Sequence, residues 1–185
     1  MLAGRINDAV EGRLRQQHQG LPTLYRRELG ICVGAARIDV AAVNGAITGC
    51  EVKSGSDGLG RLDRQVAHYG QVVDLAVLVV ERAHPDRVAE MVPSWWGVWH
   101  AAEDGPQAVH LEVIRHPTTN GHVEPFAVAQ LLWRDEALDV LRARQLHRGR
   151  SSLTRWQLWR CLADEMPLDE LQLEVRSRLR ARQDW

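Results

Sequence analysis

The pattern of apolar positions changes from helical to strand-like spacing early in the chain. Four apolar residues stand four positions apart, which predicts a first amphipathic helix: Leu2, Ile6, Val10 and Leu14. The stretch LYRREL at 24–29 predicts a short helical turn that stops at Gly30. Two β-rich runs follow, ARIDVAAV and AITGCEVK, and Asn44-Gly45 between them predicts a hairpin.

The rest of the chain predicts an alternating body followed by helices. Helical spacing returns over 56–73, and the short apolar run at 74–80 predicts a strand that is covered on both sides. A polar helix is predicted at 84–91 and a tryptophan-rich strand at 95–99. A turn at 104–106 and a strand at 107–114 follow. Four helical segments follow Pro125. We therefore expect an α/β domain over 1–115, a linker over 116–125 and a helical region over 126–185.

Composition narrows the class of protein. The formal net charge is −1, with 45% hydrophobic and 25% charged residues, which is typical of a globular domain and excludes a disordered or collagen-like chain. No apolar run reaches the length of a membrane span, and the first residues carry charges throughout, unlike a secretory signal. The 3 cysteines contain no CxxC pair. Free thiols in a cytoplasmic protein without membrane contact are the resulting expectation.

The basic residues are distributed unevenly. Of 23 Lys plus Arg residues, one is a lysine, Lys53, and the others are arginines. Six arginines and no acid fall within 142–160: Arg142, Arg144, Arg148, Arg150, Arg155 and Arg160. This run is a candidate surface for DNA phosphates, and its alternatives are a solvated helix face or a tail that docks a protein partner or self-associates.

The hairpin concentrates the candidate chemistry. Glu51 and Lys53 lie two residues apart on the second strand and so point to the same face, and Asp39 lies on the first strand. Carboxylates at a sheet edge suit Mg²⁺, and a lysine beside the ion is a compact cation that can orient water or offset phosphate charge. A Glu-x-Lys motif without supporting motifs is also explained by an ordinary ion pair on the protein surface.

The hairpin register tests whether these residues can share a metal. A two-residue loop would pair Val43 with Ala46 and would place Asp39 opposite Cys50, on the face away from Glu51. A loop with an odd number of residues restores a common face for the two carboxylates. We therefore predict a bulge or an odd-length loop in this hairpin.

Further residues complete an ordered set. Glu28 is predicted to end a helix before the first strand, and Gln65 and Tyr69 lie four apart on the helix after the hairpin. With this order of Glu, Asp, ExK and QxxxY, the chain resembles the PD-(D/E)XK nuclease superfamily, in a bacterial and phage branch. The resemblance is carried by REL at 27–29, RIDVAAVNG at 37–45, CEVKSGSDGLGRLDRQVAHY at 50–69 and the strand at 75–80. Ile38 stands where the motif's proline is expected, a departure that the superfamily tolerates.

The resemblance implies a fold and a chemistry. The implied fold is restriction-endonuclease-like, with a central mixed sheet flanked by helices in the order αβββαβ, and with a helical C-terminal appendage in this chain. The implied activity is hydrolysis of DNA phosphodiester bonds with Mg²⁺, or Mn²⁺ in its place. Asp39 and Glu51 would bind the metal, Glu28 would bind it directly or through water, and Lys53 would be the catalytic lysine.

Other residues of the helix after the hairpin are candidates for the rim of the site. The resemblance implies that Gln65 supports the site or reaches DNA and that Tyr69 packs beneath Gln65 or contacts DNA. Arg61, Arg64 and His68 lie on or beside the polar face of this helix and are candidates for DNA contact, although a helix-surface position also explains His68. A rival function is a non-catalytic module that reuses the fold to bind nucleic acid or protein. The intact Asp39, Glu51 and Lys53 argue against it.

Two roles are considered for the tryptophan side chains, stacking on bases and packing in the core. Trp95, Trp96 and Trp99 could stack on bases, but core packing is the favoured reading for at least two of them. Trp133, Trp156 and Trp159 lie in the helical region, and packing between helices is the favoured reading there.

Overall fold

A central mixed sheet carries helices on both faces. In the computed structural model, residues 3–55, 58–81, 85–105, 108–183 and 185 are described. In chain order the strands are β1 Leu24–Ile31, β2 Ala36–Val43, β3 Ile47–Lys53, β4 Leu75–Val80, β5 Gly97–Asp104 and β6 Ala108–Arg115. The helices are α1 Ala3–Gln17, α2 Leu62–Val72, α3 Pro85–Ala89, α4 Pro125–Ala129, α5 Arg134–Ala143, α6 Arg155–Glu165 and α7 Leu168–Ala181. Short 3₁₀ turns lie at Cys32–Gly34 and Leu59–Arg61.

The strands lie in sequence order across the sheet. β1, β2 and β3 are antiparallel neighbours, β3, β4 and β5 are parallel, and β5 and β6 are antiparallel. The parallel pairs require crossovers, which contain α2 and α3. The observed fold is therefore α/β, as expected, with a six-stranded mixed sheet in the part of the chain that the structure describes.

Two apolar cores separate the layers. On one face, Ile6, Val10 and Leu14 of α1 pack with Val40, Cys50 and other residues of the central strands. On the other face, a larger core joins the sheet to α2 and to the C-terminal helices, with Tyr69, Trp96 and Trp159 among its buried members. The predicted boundary between an α/β domain and a helical region therefore runs through a shared hydrophobic core.

The segment predicted as a linker is packed against the body. The Asn120 side chain is buried and donates hydrogen bonds to the carbonyl oxygens of Gly70 and Val73, each 2.8 Å long. The backbone amide of Glu124 bonds to the Gln71 carbonyl at 2.9 Å. These contacts attach residues 116–125 to the end of α2.

One predicted element is wrong. Residues 24–29, predicted as a helical turn, form most of β1, which pairs with β2 from Leu24 opposite Val43 to Ile31 opposite Ala36. Leu, Arg and Glu are good helix formers, but this pairing across the sheet outweighs their local preference. Glu28 consequently lies in a strand and not at the end of a helix.

Smaller differences concern the ends of elements. Trp95 and Trp96 precede β5 in a turn, while Trp96 and Trp99 are buried, which confirms core packing for two of these three tryptophans. Four C-terminal helical segments are confirmed as α4–α7. Parts of the predicted elements fall outside the described residues, at Leu2, 56–57, 84 and 106–107. None of the described helices has the length and apolar character needed to cross a membrane.

Asp74, immediately before β4, connects the last helix to the sheet. Its Oδ2 atom accepts a hydrogen bond of 2.6 Å from the Ile47 amide and forms an ion pair of 3.2 Å with Arg176 of α7. Its Oδ1 atom accepts a hydrogen bond of 2.7 Å from Gln172. Asp74 and Arg176 have 14% exposed side chains, so removing one partner leaves the other charged and largely buried.

We therefore expect Asp74→Ala to lower the free energy of unfolding by about 3 kcal/mol, which corresponds to a fall in Tm of about 6–12 °C. The matched control is Asp139→Ala, which removes an exposed ion pair with Arg142 and should cost less than about 1 kcal/mol. Urea and thermal unfolding measure both variants. Equal losses in the two variants would contradict the anchoring role of Asp74.

Candidate active site

A pocket of about 450 Å³ opens where β2 and β3 meet the first turn of α2. It lies at the carboxyl end of β3, the kind of position where ligands bind in sheets with parallel strands. Eight of the residues predicted to form a site line this pocket: Glu28, Asp39, Glu51, Lys53, Arg61, Arg64, Gln65 and His68. The ninth, Tyr69, lies beneath it, so the fold brings the whole predicted set together.

The hairpin register explains why the two central carboxylates face each other. Val43 pairs with Ile47 and Val40 with Cys50, so the loop has three residues, 44–46. The predicted odd-length loop is thereby confirmed. Continuing this register places Asp39 opposite Glu51, although the ladder itself ends at the pair before them.

The strands separate at Asp39, and this separation opens the pocket. Asp39 is paired in neither ladder, and its Oδ2 atom accepts a hydrogen bond of 2.7 Å from the Val52 amide. A side-chain oxygen thus occupies the position that a backbone carbonyl would take in a continued ladder. The Asp39 carboxylate is held in this way at the mouth of the pocket.

Glu51 is the centre of a buried polar network. Its side chain is 2% exposed, and its Oε2 atom accepts a hydrogen bond of 2.9 Å from the Tyr69 hydroxyl. Its Oε1 atom accepts from the Gln65 amide and lies 2.8 Å from Lys53 Nζ. Both oxygens are therefore fixed in orientation before any ligand binds.

Lys53 is held as tightly as its partner. The side chain is 7% exposed, and Nζ also donates a hydrogen bond of 2.8 Å to Gln65 Oε1. A surface Glu–Lys pair, the alternative reading of this motif, is excluded because both side chains are buried. Burying such a pair costs solvation free energy, and it persists here because neighbouring donors and acceptors complete the network.

The electrostatics of the pocket favour an additional cation. Burial raises the pKa of Asp39 to about 7, and the negative charge of Glu51 contributes in the same direction. The hydrogen bond from Val52 opposes this shift. Among the described residues, no cationic side chain lies at ion-pair distance from Asp39. The pocket therefore holds two neighbouring carboxylates, of which Glu51 alone is paired with a lysine.

A pair of carboxylates suits Mg²⁺, which keeps several water ligands, better than it suits a metal ion whose ligands are all protein side chains. Within the described residues, no group of three or more His, Cys, Asp or Glu side chains could hold a metal ion. Mg²⁺ is bound through one or two carboxylates, keeps several waters and takes further oxygens from substrate phosphates. Asp39 and Glu51 match that donor set, whereas a structural zinc site would need four protein ligands.

Tyr69 supports the site from below. The ring is fully buried against Trp96, at a centroid distance of 5.1 Å, and burial raises the pKa of the hydroxyl well above its ordinary value. Direct contact with DNA, one of the two roles implied for Tyr69, is excluded by this burial. Gly49 permits the close packing, since a Cβ there would lie 3.1 Å from the Tyr69 ring.

Glu28 reaches the pocket from a different element than expected. It lies in β1 with φ of 55°, a left-handed conformation that is uncommon for a residue with a side chain. Its carboxylate is 3.2 Å from Arg37 Nε, and both side chains are largely exposed. Cys32 and Val33 in the following turn also have positive φ, of 49° and 57°. Backbone strain of this kind is found at functional sites.

Two polar residues of the pocket, Asn7 and Arg37, were not predicted from the sequence. Asn7 of α1 lines the pocket, and its Oδ1 atom is buried without a hydrogen-bond partner in the described part of the chain. Arg37 at the start of β2 lines the pocket beside Glu28. The only sequence signal for Asn7 was its polar side chain next to the apolar stripe of α1, and that pattern does not show which end of the sheet the helix covers.

Comparison with known protein families identifies a match to this chain. The sequence family described as bacteriophage P4 protein cII matches residues 9–184, which is nearly the whole chain. No curated protein matches, and no solved structure matches. The matched range includes every predicted site residue.

Proposed function

We propose that this chain, which belongs to the bacteriophage P4 protein cII family, is a Mg²⁺-dependent nuclease that hydrolyses phosphodiester bonds in DNA. The observation that carries the proposal is the buried network of Glu51, Lys53 and Gln65 beside the unpaired carboxylate of Asp39. The order α1-β1-β2-β3-α2-β4 agrees with the αβββαβ order of the restriction-endonuclease-like fold. We infer that fold, and membership of the PD-(D/E)XK superfamily, from this order together with the sequence motifs.

In this proposal, Asp39 and Glu51 would hold Mg²⁺ or Mn²⁺, which would supply Lewis-acid chemistry at the scissile phosphate. Glu28, largely exposed at the edge of the pocket, would bind the ion directly or through water. Asn7 offers its buried Oδ1 atom as an acceptor for a water in the same pocket. The donor set is therefore mainly carboxylate and water oxygens, as Mg²⁺ prefers.

Lys53 is the residue that acts on the phosphate. Its ammonium group, held between Glu51 Oε1 and Gln65 Oε1, orients the attacking water or stabilises the negative charge that develops on the phosphate oxygens. Fixed donors of this kind need no reorganisation during the reaction. Gln65 and Tyr69 keep Glu51 in place from the α2 side. The superfamily resemblance implies a product with a 5′-phosphate.

The rim of the pocket supplies the contacts with DNA. Arg61 ends the 3₁₀ turn before α2 and Arg64 lies on the first turn of α2. Both are exposed, and no carboxylate among the described residues pairs with them. They are available for phosphate oxygens, and the N-terminal end of α2 adds a favourable partial charge for an anion. His68, one turn further along α2, is half-buried at the same rim.

The proposal is tested by incubating the purified chain with supercoiled DNA, linear duplex, single-stranded DNA and RNA, each with Mg²⁺, Mn²⁺ or EDTA. We expect cleavage of DNA with either metal and none with EDTA. A chain that binds DNA but cleaves nothing with either metal would support the non-catalytic alternative. Cleavage that persists in EDTA, or cleavage of RNA alone, would contradict the proposed activity.

A further inference from the structure

A second set of aromatic and basic residues lies on the helical region, outside the pocket. It consists of Phe126 on α4 and Arg155, Trp156, Trp159 and Arg160 on α6, and we call it the α6 patch. Trp156 is 47% exposed, whereas Trp159 is buried and its indole nitrogen donates to the Leu132 carbonyl at 2.9 Å. Packing between helices, favoured for both tryptophans from sequence, thus accounts for Trp159 and leaves much of the Trp156 ring in solvent.

The exposed Trp156 ring packs against two other aromatic rings. The Trp156 centroid is 5.2 Å from that of Trp159 in an edge-on arrangement and 6.2 Å from that of Phe126. The Arg160 guanidinium lies over Phe126 at 4.0 Å, and that of Arg155 lies over Trp159 at 5.4 Å. An aromatic side chain that is already fixed loses little conformational entropy when a planar ligand stacks on it.

The arginines of the α6 patch differ from others in the same run. Arg142, Arg144 and Arg150 are paired with acidic side chains: Asp139, Glu170 and Glu165. Arg155 and Arg160 have no carboxylate at ion-pair distance among the described residues. Half of the arginine run proposed for phosphate contact is thereby neutralised within the protein, while these two keep their charge beside exposed aromatic surface.

The patch is connected to the pocket along α2. Gln65, His68 and Gln71 follow one another on this helix over about 9 Å, and the first two line the pocket. Gln71 Nε2 donates a hydrogen bond of 3.4 Å to Glu124 Oε1. Glu124 immediately precedes α4, whose second residue is Phe126. These contacts lead from the pocket along α2 to α4, which carries Phe126 of the α6 patch.

We propose that the α6 patch binds single-stranded DNA, with Trp156 stacked on a base and Arg155 and Arg160 against neighbouring phosphates. The proposal rests on the proposed function for its choice of polymer and extends it by naming the strand type. Stacking on an exposed ring requires an unpaired base, because the faces of paired bases are covered by their neighbours in a duplex. The substrate is accordingly DNA with a single-stranded segment beside the cleaved bond.

A protein partner is the competing occupant, since Trp and Arg are also enriched at protein interfaces. Self-association through the helical region would require acidic groups to face the two free arginines. Among the described residues of that region, six of the eight acidic side chains are already paired with arginines of the same chain, and Asp164 and Asp169 are the two without such a pair. Two isolated carboxylates match the patch arginines less well than the repeated charges of a polyanion, so charge complementarity favours a polyanion over a second copy.

The test measures the binding of fluorescein-labelled oligothymidine by fluorescence anisotropy, in EDTA and over a series of NaCl concentrations. Trp156→Ala is expected to weaken binding about tenfold. Arg160→Gln should weaken it and lower the slope of log K against log [NaCl] by about 0.7, as expected for one lost phosphate contact on a single strand. Trp156→Phe should keep most of the affinity, and binding of a blunt duplex should be unchanged by Trp156→Ala.

The matched control is Trp133→Ala. Trp133 is 50% exposed and also lies under an arginine, Arg182, but that arginine is paired with Glu136. Its loss should leave oligothymidine binding unchanged. Equal losses of DNA affinity in Trp133→Ala and Trp156→Ala would overturn the proposal. A wild-type dimer that Trp156→Ala converts to a monomer, without a change in DNA affinity, would overturn it too. Because no metal is present, binding can succeed or fail independently of cleavage.

Discussion

Lys53→Arg is expected to lower the rate of metal-dependent cleavage about 10²–10³-fold, although it keeps the positive charge. The ammonium group fits between Glu51 Oε1 and Gln65 Oε1, at 2.8 Å from each, in a position that is almost closed to solvent. The arginine guanidinium is wider, planar and delocalised, so it cannot place one compact charge at the same point. Single-turnover cleavage of labelled DNA measures the effect.

The matched control for this substitution is Arg142→Lys, an exchange between the same two residue types on the exposed surface of α5. It should leave the rate unchanged. Circular dichroism and melting must show that Lys53→Arg folds. Lys53→Met, which keeps the length of the side chain without its charge, provides a second variant with the same expected loss. Cleavage by Lys53→Arg at the wild-type rate would show that charge alone, and not its placement, is needed.

Asp39→Asn is expected to abolish metal-dependent cleavage and to stabilise the metal-free protein. The Asp39 carboxylate is largely buried near Glu51, so its ionisation is unfavourable until a cation binds. The neutral amide removes this repulsion and can still accept the hydrogen bond from Val52. We expect a gain of about 1 kcal/mol, or about 2–4 °C in Tm, in EDTA. Added Mg²⁺ or Mn²⁺ should stabilise the wild type and leave Asp39→Asn unaffected.

The pH dependence of this effect follows from the raised pKa. In the metal-free protein the pKa of Asp39 is about 7, above its ordinary value of 3.8. The stabilising contribution of the Asp39 carboxyl is therefore present in full below about pH 4, and it is lost as the pH rises through about 7. The advantage of Asp39→Asn should consequently be larger at about pH 8 than at about pH 5. The control is the exposed Asp104→Asn. A lower Tm for Asp39→Asn than for the wild type in EDTA would contradict the inference that the Asp39 carboxylate is destabilising without a cation.

The centre of the candidate site was predictable because strand alternation is a short-range rule. Two residues on one strand, Glu51 and Lys53, must share a face, and an odd-length loop aligns Asp39 with them. Gln65 and Tyr69 follow from the helical period of α2 in the same way. These relations depend on neighbouring residues alone, and the structure places all five around one pocket.

Features that depend on distant parts of the chain were not predictable. Glu28 was assigned to a helix because its neighbours favour helix, and pairing with β2 decided otherwise. The arginine run lacks local acids, yet Arg144 and Arg150 find carboxylates on later helices, Glu170 and Glu165. Whether a tryptophan is buried depends likewise on which helix covers it. These outcomes are set by tertiary packing, which no short pattern encodes.

The most direct test of the central claim is the initial rate at which wild-type protein and Lys53→Ala cleave the same labelled DNA in Mg²⁺. The claim is that Asp39 and Glu51 hold the metal while the chain's only lysine acts on the phosphate. We expect measurable cleavage by the wild type and a rate lower by about 10²–10³-fold for Lys53→Ala. Equal rates for the two proteins, or no cleavage by the wild type with any DNA and either metal, would contradict the claim.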